Sequence, residues 1–190
     1  MSEREPLRVV TSAVVPLMFS DIDTDQIIPG RYITSRTPEE FAAALFAGRR
    51  EAEPYFVLDQ AGMAGRSILV AERNFGCGSS REQAVWALQA GGFRVIVAPS
   101  FGDIFRNNAL QNGLLTVALD SERCAVLAEQ GASEVTVDLE DRRITLTDGS
   151  ELGRFELDAF HRDLLMEGRS ELDYLLALDS EIATFEAVRG

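Results

Sequence analysis

The sequence predicts an α/β fold in which a mixed β-sheet is flanked by helices. Residues 68–98 have the order strand, glycine turn, helix and strand, which is the order of a parallel βαβ unit. The run Phe93–Ala98 is apolar except for Arg94, as expected for a strand that is buried on both faces. Residues 134–139 and 143–147 alternate apolar and polar side chains and predict an antiparallel hairpin. Parallel units followed by antiparallel strands indicate a mixed sheet.

The other elements follow from local signals. Leu7–Leu17 is rich in Val and Leu and predicts one or two early strands. Thr37 and Pro38 are typical of an N-cap and a first helical position, and we expect a helix from there to Gly48. The remaining predictions are a helix capped by Ser100 and ended by Asn112 and Gly113, a strand over 114–119, a helix over 121–131, and helical stretches over 158–167 and 172–188.

The chain is expected to form one domain, residues 1–190, with a C-terminal helical segment from about residue 158 to 190. It is 46% hydrophobic and 26% charged, an ordinary globular composition. The net charge of −13 argues against a nucleic-acid partner. No apolar run has the length of a membrane span, and the first residues are polar and acidic. We therefore expect a cytoplasmic protein without a membrane partner.

A turn containing Gly76 and Gly78 precedes the helix that includes Ala84, and a helix start of this kind attracts anions. Ser79 and Glu82 have the spacing of a capping box, so a simple capped helix is one interpretation. Arg81 favours the other interpretation, an anion site, because a cation in the first turn is unfavourable unless an anion pairs with it. Its planar fork suits a carboxylate. The turn has neither the dinucleotide-binding nor the Walker spacing.

Two cysteines limit the metal chemistry of this chain. Cys77 and Cys124 are far apart and form no C-x-x-C pattern, so the chain by itself is not expected to hold zinc or an iron–sulfur cluster. Cys77 lies in the glycine turn, where a helix start lowers a thiol pKa. A nucleophilic Cys77 would need His161, the single histidine, as its base, so a small turn residue is the favoured interpretation.

An acidic segment precedes the first predicted helix. Carboxylates at 21, 23 and 25 suggest a calcium loop, but Gln26 and Tyr32 stand where such a loop needs Gly and Glu. The calcium interpretation therefore fails, and an Asx-rich turn remains.

Four stretches together resemble a known family. Residues 76–82, followed by Ala-Val-Trp-Ala-Leu at 84–88, resemble the signature of the swivel domain of the aconitase superfamily. With three further stretches they are similar to the small subunits of 3-isopropylmalate dehydratase, in the order of that family: Asp23–Pro29, Ser100–Asn108 and Asn112–Leu115. The similarity runs from about Val15 to about Glu186. It implies a single swivelling β/β/α domain.

The resemblance also implies an activity, a partner and a set of site residues. The family is a hydro-lyase that interconverts 2-isopropylmalate and 3-isopropylmalate in leucine biosynthesis, with a [4Fe–4S] cluster in a separate large subunit. This chain alone is then expected to be inactive and to hold no cofactor. The implied catalytic base is Ser79, and the implied substrate-binding residues are Thr24, Asp25, Arg31, Ser80 and Arg81. The substrate is a small dicarboxylate, which a net charge of −13 repels unless local arginines or the partner offset it.

One departure and several alternatives stay open at this point. Gln83 stands where the family usually has His, but this position is not the implied base, so activity is still expected. Small subunits that act on homoaconitate, citraconate or dimethylmalate would share these motifs. A non-catalytic anion-binding module without a cluster-bearing partner is the alternative from another class, and a cysteine-dependent hydrolase is the third.

Overall fold

Residues 4–179 are described in a computed structural model of the chain, in which seven strands form one mixed sheet. The strand order is β4-β3-β2-β1-β5-β6-β7. The strands are β1 Val9–Leu17, β2 Ile68–Ala71, β3 Val95–Ala98, β4 Leu115–Ala118, β5 Glu134–Asp138, β6 Arg143–Thr145 and β7 Glu151–Arg154. The prediction of an α/β fold with a mixed sheet and flanking helices is confirmed.

Eight α-helices are described in this range: α1 Thr24–Ile27, α2 Pro38–Ala44, α3 Ala47–Ala52, α4 Glu82–Ala90, α5 Asp103–Gln111, α6 Ser121–Ala128, α7 Ala159–Glu167 and α8 Glu171–Ala177. Short 3₁₀ turns cover Gly30–Tyr32 and Val57–Asp59. The helix predicted over 172–188 begins as α8, and its part beyond residue 179 lies outside the described residues. Between residues 4 and 179, no helix combines the length and the apolar character needed to cross a membrane.

The long strand β1 joins two differently paired halves of the sheet. Its second half pairs in parallel with β2, from Val14 opposite Ile68 to Leu17 opposite Ala71. Its first half pairs antiparallel with β5, from Val9 opposite Asp138 to Ala13 opposite Glu134. Strands β1 to β4 therefore all end at one edge of the sheet, as the predicted βαβ unit requires.

Two apolar cores cover the two faces of the parallel strands. Alternate residues of β1 to β3 point to opposite faces, and β2 and β3 are buried along their whole length. The first core contains Leu69 and Ile96 together with residues of α2, α4 and α5. The second contains Val70 and Val95 together with residues of α6, α7 and the β5–β6 hairpin. Because both faces of these strands are buried against apolar side chains, their sequences are continuous apolar runs.

The helix predicted from Thr37 to Gly48 is shorter than expected. Its start is confirmed, since Thr37 and Glu40 form a capping box with Pro38 at the first position. It ends at Ala44 because Phe46 adopts a left-handed conformation with φ of 51° and its backbone N–H donates to the Ile27 carbonyl at 2.8 Å. The Phe46 ring is fully buried, so this tertiary contact outweighs the local helical pattern.

One further prediction needs correction, and one strand was not predicted. Ser100 does not cap α5, because the N-cap is Gly102 and the Ser100 hydroxyl accepts a hydrogen bond from the Asn74 backbone at 2.8 Å. Strand β7 was not predicted, since Glu-Leu-Gly-Arg has a weak strand propensity. Gly153 lies close to the Arg123 side chain there, since a Cβ on it would lie 3.0 Å from Nε of Arg123.

Candidate active site

Three loops meet at the edge where the parallel strands end. The segments that follow β1 and β2 pair with each other in a parallel bridge between Asp23 and Cys77. The Thr24 N–H donates to the Cys77 carbonyl there at 3.0 Å. The segments that follow β2 and β3 pair in the same way between Phe75 and Phe101. The carboxyl ends of parallel strands are the usual place for a ligand crevice in an open α/β sheet.

Two glycines allow the turn after β2 to pack against the start of α5. Gly76 has a φ of +72°, and a Cβ on it would lie 2.2 Å from the ring of Phe105. A Cβ on Gly102 would lie 2.6 Å from the Gly76 carbonyl oxygen. The rings of Phe75 and Phe105 pack edge to face beneath the turn at a centroid distance of 5.4 Å. The turn at Gly76, three residues before Ser79, therefore rests on a closely packed, buried aromatic support.

The predicted capping box at Ser79 and Glu82 does not form. Helix α4 begins two residues later than that box requires, and its N-cap is Arg81, which makes no side-chain capping hydrogen bond. A tight turn, with the Arg81 N–H donating to the Ser79 carbonyl at 2.9 Å, separates Ser79 from the helix. The start of α4 thus has no side-chain cap, and its positive end lies three residues along the chain from Ser79.

Thr24 holds Ser79 by two contacts. The Thr24 hydroxyl lies 3.0 Å from the Ser79 carbonyl oxygen, to which it donates, and 3.2 Å from the Ser79 hydroxyl oxygen. Thr24 is 1% exposed, whereas Ser79 is exposed. Ser79 is therefore accessible to solvent, and the buried Thr24 hydroxyl orients its side chain.

Arg81 and Asp25 form an ion pair beside this serine. Arg81 Nη1 contacts an Asp25 carboxylate oxygen and lies 3.4 Å from the Ile28 carbonyl oxygen. The Arg81 side chain is 21% exposed and that of Asp25 is 57% exposed. The pair fixes one end of the guanidinium, which has five N–H donors in total.

Of the other two predicted residues, Ser80 lies beside Arg81 and Arg31 is directed away from it. Ser80 is exposed next to Arg81. The Arg31 guanidinium points to α3, where it forms an ion pair with Glu51 at 2.5 Å, and it stacks on Tyr32 at 4.8 Å. Hydrogen bonds to Tyr32 and then to Glu51 raise the Arg31 pKa, so this group stays charged. Thr24 thus contacts Ser79, its neighbour Asp25 contacts Arg81, and the Arg31 head group is engaged elsewhere.

Cys77 lacks the features of a nucleophilic cysteine. Burial, followed by the negative charges of Asp23 and Asp21, raises the pKa of its thiol, contrary to the lowering expected at a helix start. Its backbone packs against Gly102 at the beginning of α5, whereas His161 lies near Glu171, which binds Gln111 at the end of α5. Nine helical residues span about 13 Å, so His161 is not the base of a Cys77 nucleophile.

We expect Cys77→Ala to leave the turnover of the expected two-subunit enzyme within about twofold of wild type, since the raised thiol pKa leaves little thiolate at neutral pH. Alkylation of Cys77 by iodoacetamide, followed by mass spectrometry, should be slower at pH 7.5 than that of a small free thiol and should rise steeply above pH 9. Loss of turnover in Cys77→Ala would restore the cysteine-dependent hydrolase as an explanation.

The residues described here do not fit an iron–sulfur cluster. Between residues 4 and 179, no group of three or more His, Cys, Asp or Glu side chains is placed to hold a metal ion. Cys124 is buried in the second core, on the other face of the sheet from α4, and burial raises its pKa to about 11. A cluster needs several thiolates that converge on one point, and these two do not.

Comparison with known proteins agrees with this architecture. Residues 6–122 match the aconitase C-terminal domain family. The chain is 47% identical to a 3-isopropylmalate dehydratase small subunit from Anaeromyxobacter dehalogenans (strain 2CP-C), over 97% of this chain and 99% of that protein. It is 45% identical to a protein of the same name from Roseiflexus castenholzii, over 96% of this chain and 93% of that protein.

A solved structure gives the same result at lower identity. The 3-isopropylmalate dehydratase LeuD from Methanocaldococcus jannaschii superposes with a TM-score of 0.71 and 28% sequence identity, covering 96% of this chain and 99% of that chain. The matching family, the full-length relatives and the shared fold agree with one another. This chain therefore belongs to the family of 3-isopropylmalate dehydratase small subunits, built on the aconitase C-terminal domain.

Proposed function

We propose that this chain is the small subunit of a 3-isopropylmalate dehydratase, a hydro-lyase that interconverts 2-isopropylmalate and 3-isopropylmalate in leucine biosynthesis. One observation supports this function most strongly: an exposed Ser79 is held by the buried Thr24 and stands beside the Arg81–Asp25 pair at the uncapped start of α4. A cytoplasmic location and a single domain over residues 1–190 are parts of the same proposal.

The reaction removes a proton from one carbon and a hydroxyl group from its neighbour, and then returns them in the opposite sense. Ser79 acts as the base, and its hydroxyl oxygen in the alkoxide form takes the carbon-bound proton. The same oxygen returns a proton when water is added back. Two features favour an alkoxide here, the positive end of α4 and the Arg81 guanidinium.

Thr24 provides a third stabilising feature because its single proton has two acceptors within reach. When Ser79 is neutral, Thr24 donates to the Ser79 carbonyl at 3.0 Å and its oxygen is free to accept from the Ser79 hydroxyl. When Ser79 is an alkoxide, the Thr24 proton turns to that oxygen, 3.2 Å away. No atom other than this proton has to move, so the stabilisation is preorganised.

Thr24→Val should therefore lower kcat by about 10- to 100-fold and leave KM within about threefold. Valine matches the shape of threonine and lacks the hydroxyl, while Thr24→Ser keeps the hydroxyl and should retain most of the turnover. Steady-state kinetics of both variants in the assembled enzyme measure this difference. An equal loss in both variants would mean that packing, rather than the hydroxyl, is responsible.

Arg81 binds one substrate carboxylate. Asp25 occupies Nη1, and the remaining N–H groups of the planar fork stay available for a second, bidentate partner. Ser80, exposed beside Arg81, completes the contact to the substrate. Arg31 belongs to the same proposed set, and it would exchange Glu51 for the second carboxylate.

Arg81→Lys should raise KM about tenfold or more, because a lysine ammonium cannot contact Asp25 and a carboxylate through one planar fork. The matched control is Arg154→Lys, since Arg154 pairs with Glu151 on β7 and lies in a different part of the sheet. Initial rates over a range of 2-isopropylmalate concentrations separate the two. A KM for Arg81→Lys equal to that of the control would remove Arg81 from the binding site.

A [4Fe–4S] cluster would supply the Lewis acid for the departing hydroxyl, and a large subunit would hold it. The two cysteines of this chain do not fit a cluster. Exposure of Ser79 and Ser80 suits a surface that a second subunit closes, and positive charge on that subunit would add to the local arginines in offsetting the repulsion between a net charge of −13 and a dianionic substrate. This chain alone is then inactive.

Reconstitution tests the proposal. The chain is mixed anaerobically with a cluster-bearing large subunit, and the absorbance of the unsaturated intermediate is followed with 2-isopropylmalate, citraconate and homoaconitate in turn. We expect activity in the mixture alone and the highest kcat/KM with 2-isopropylmalate. Preference for another diacid would overturn the substrate assignment, and inactivity with every diacid would favour a non-catalytic anion-binding module.

A further inference from the structure

Asn112, at the end of α5, contacts three side chains along one face of α4. Its side-chain amide nitrogen donates to Glu82 at 2.8 Å. Its side-chain oxygen accepts from the indole N–H of Trp86 at 3.2 Å, and its backbone carbonyl accepts from the Gln89 amide at 2.7 Å. Residues 82, 86 and 89 fall on one face of a helix. One residue therefore connects the whole length of α4 to α5.

The hydrogen-bonding groups of this amide are all used. The second N–H of the Asn112 side chain donates to the Asn108 carbonyl at 2.8 Å, which leaves neither donor free. The orientation of the amide is fixed, because a reversed amide would place its nitrogen against the indole N–H of Trp86. Trp86 in turn packs edge to face on Phe41 of α2 at 5.7 Å.

This connection matters because α4 starts at the candidate active site without a side-chain cap. Its first residue, Glu82, directly follows Arg81, and the side chain of Glu82 is held by Asn112. Helix α5 is itself fixed at its other end, where Gly102 donates to the Phe75 carbonyl at 2.9 Å under the glycine turn. The position of the start of α4 relative to Ser79 is thus set from the far end of α5.

We propose that Asn112 is a positioning residue for the active site, which acts through Glu82 to hold Arg81 and the start of α4 in register with Ser79. Because the readout is turnover, this inference rests on the proposed function of the assembled enzyme. A wild-type enzyme without activity would refute that function, whereas an active wild type with unaffected Asn112 variants would refute this inference alone.

The first variant is Asn112→Asp, which puts a carboxylate against that of Glu82 and keeps the acceptor for Trp86. We expect kcat of the assembled enzyme to fall about 10- to 100-fold, as small misplacements of catalytic groups do, with KM changed less than about threefold. The matched control is Gln111→Glu. It puts a carboxylate against Glu171 in the same last turn of α5, facing α8 instead of α4.

The second variant reverses the polarity of the contact. Combining Asn112→Asp with Glu82→Gln gives the amide donor to position 82 and the acceptor to position 112, so the hydrogen bond can form again. We expect kcat to return to within about threefold of wild type. The melting temperature should stay lowered, because the added negative charge at the end of α5 remains unfavourable.

Trp86 provides a readout that does not depend on activity. It is the single tryptophan, so its indole N–H gives one signal in a ¹H–¹⁵N spectrum of the labelled chain. This signal should shift in Asn112→Leu, which removes the acceptor, and should stay in place in Gln111→Glu. Three results would overturn the inference: kcat of Asn112→Asp within twofold of wild type, an equal fall of kcat in Gln111→Glu, or no recovery in the double variant.

Discussion

Ser79→Ala is expected to lower kcat of the assembled enzyme by about 10³-fold or more, because it removes the proposed base and alanine has no group that takes a proton. The melting temperature of the chain should change little. Ser79 is exposed, and the contact that holds the loop there, from the Thr24 hydroxyl to the Ser79 backbone carbonyl, survives the substitution.

Ser133→Ala is the matched control, since Ser133 is an exposed serine on the loop before β5. Its kcat should equal that of wild type. Thermal unfolding and steady-state turnover are measured for both variants with the same large subunit. Wild-type turnover in Ser79→Ala would contradict the assignment of the base and leave Ser79 as a backbone support for the turn.

Gly76→Ala is expected to have the largest effect on stability. The methyl group would lie 2.2 Å from the buried Phe105 ring, and the φ of +72° is unfavourable for alanine. Left-handed strain and overpacking together should cost about 3 kcal/mol and lower the melting temperature by roughly 10 °C. Because Gly76 also carries the turn that leads to Ser79, turnover should fall in the protein that remains folded.

Gly65→Ala separates the two causes. Gly65 has a similar φ of +81°, but an added Cβ meets nothing within 4 Å. This variant carries the backbone strain alone and should cost about 1 kcal/mol. Chemical unfolding of both variants gives the difference directly. Equal losses in Gly65→Ala and Gly76→Ala would mean that the packing of the turn on Phe105 contributes little.

Local sequence patterns predicted the parallel half of the fold well, and for a physical reason. Ile68–Ala71 and Val95–Ala98 are buried on both faces, so every residue in them is apolar. Such continuous apolar runs can be recognised as strands from the sequence. The early end of α2 could not be predicted from local sequence, because it depends on the burial of Phe46 against residues distant in sequence. Strand β7 was missed because Glu151, Gly153 and Arg154 give this segment a weak strand propensity, and pairing with β6 holds it in the sheet.

The glycine turn and the helix after it were predictable from the sequence, whereas the contacts of the candidate site residues were not. The glycine turn and Arg81 indicated an anion site at a helix start, and that helix does follow β2. The spacing of Ser79 and Glu82 suggested a capping box, but Thr24 engages the serine and Asn112 engages the glutamate. Both partners come from other parts of the chain, so no local pattern could reveal them. The contact of Arg31 with Glu51 is of the same kind.

Release of carbon-bound deuterium tests the central claim most directly. The substrate carries deuterium on the carbon next to the one that bears the hydroxyl group, and its appearance in water is followed by mass spectrometry. The wild-type assembled enzyme should release it during turnover. Ser79→Ala should bind the substrate with a Kd within about threefold of wild type and release no deuterium above background. Release at the wild-type rate by Ser79→Ala would show that another group takes the proton.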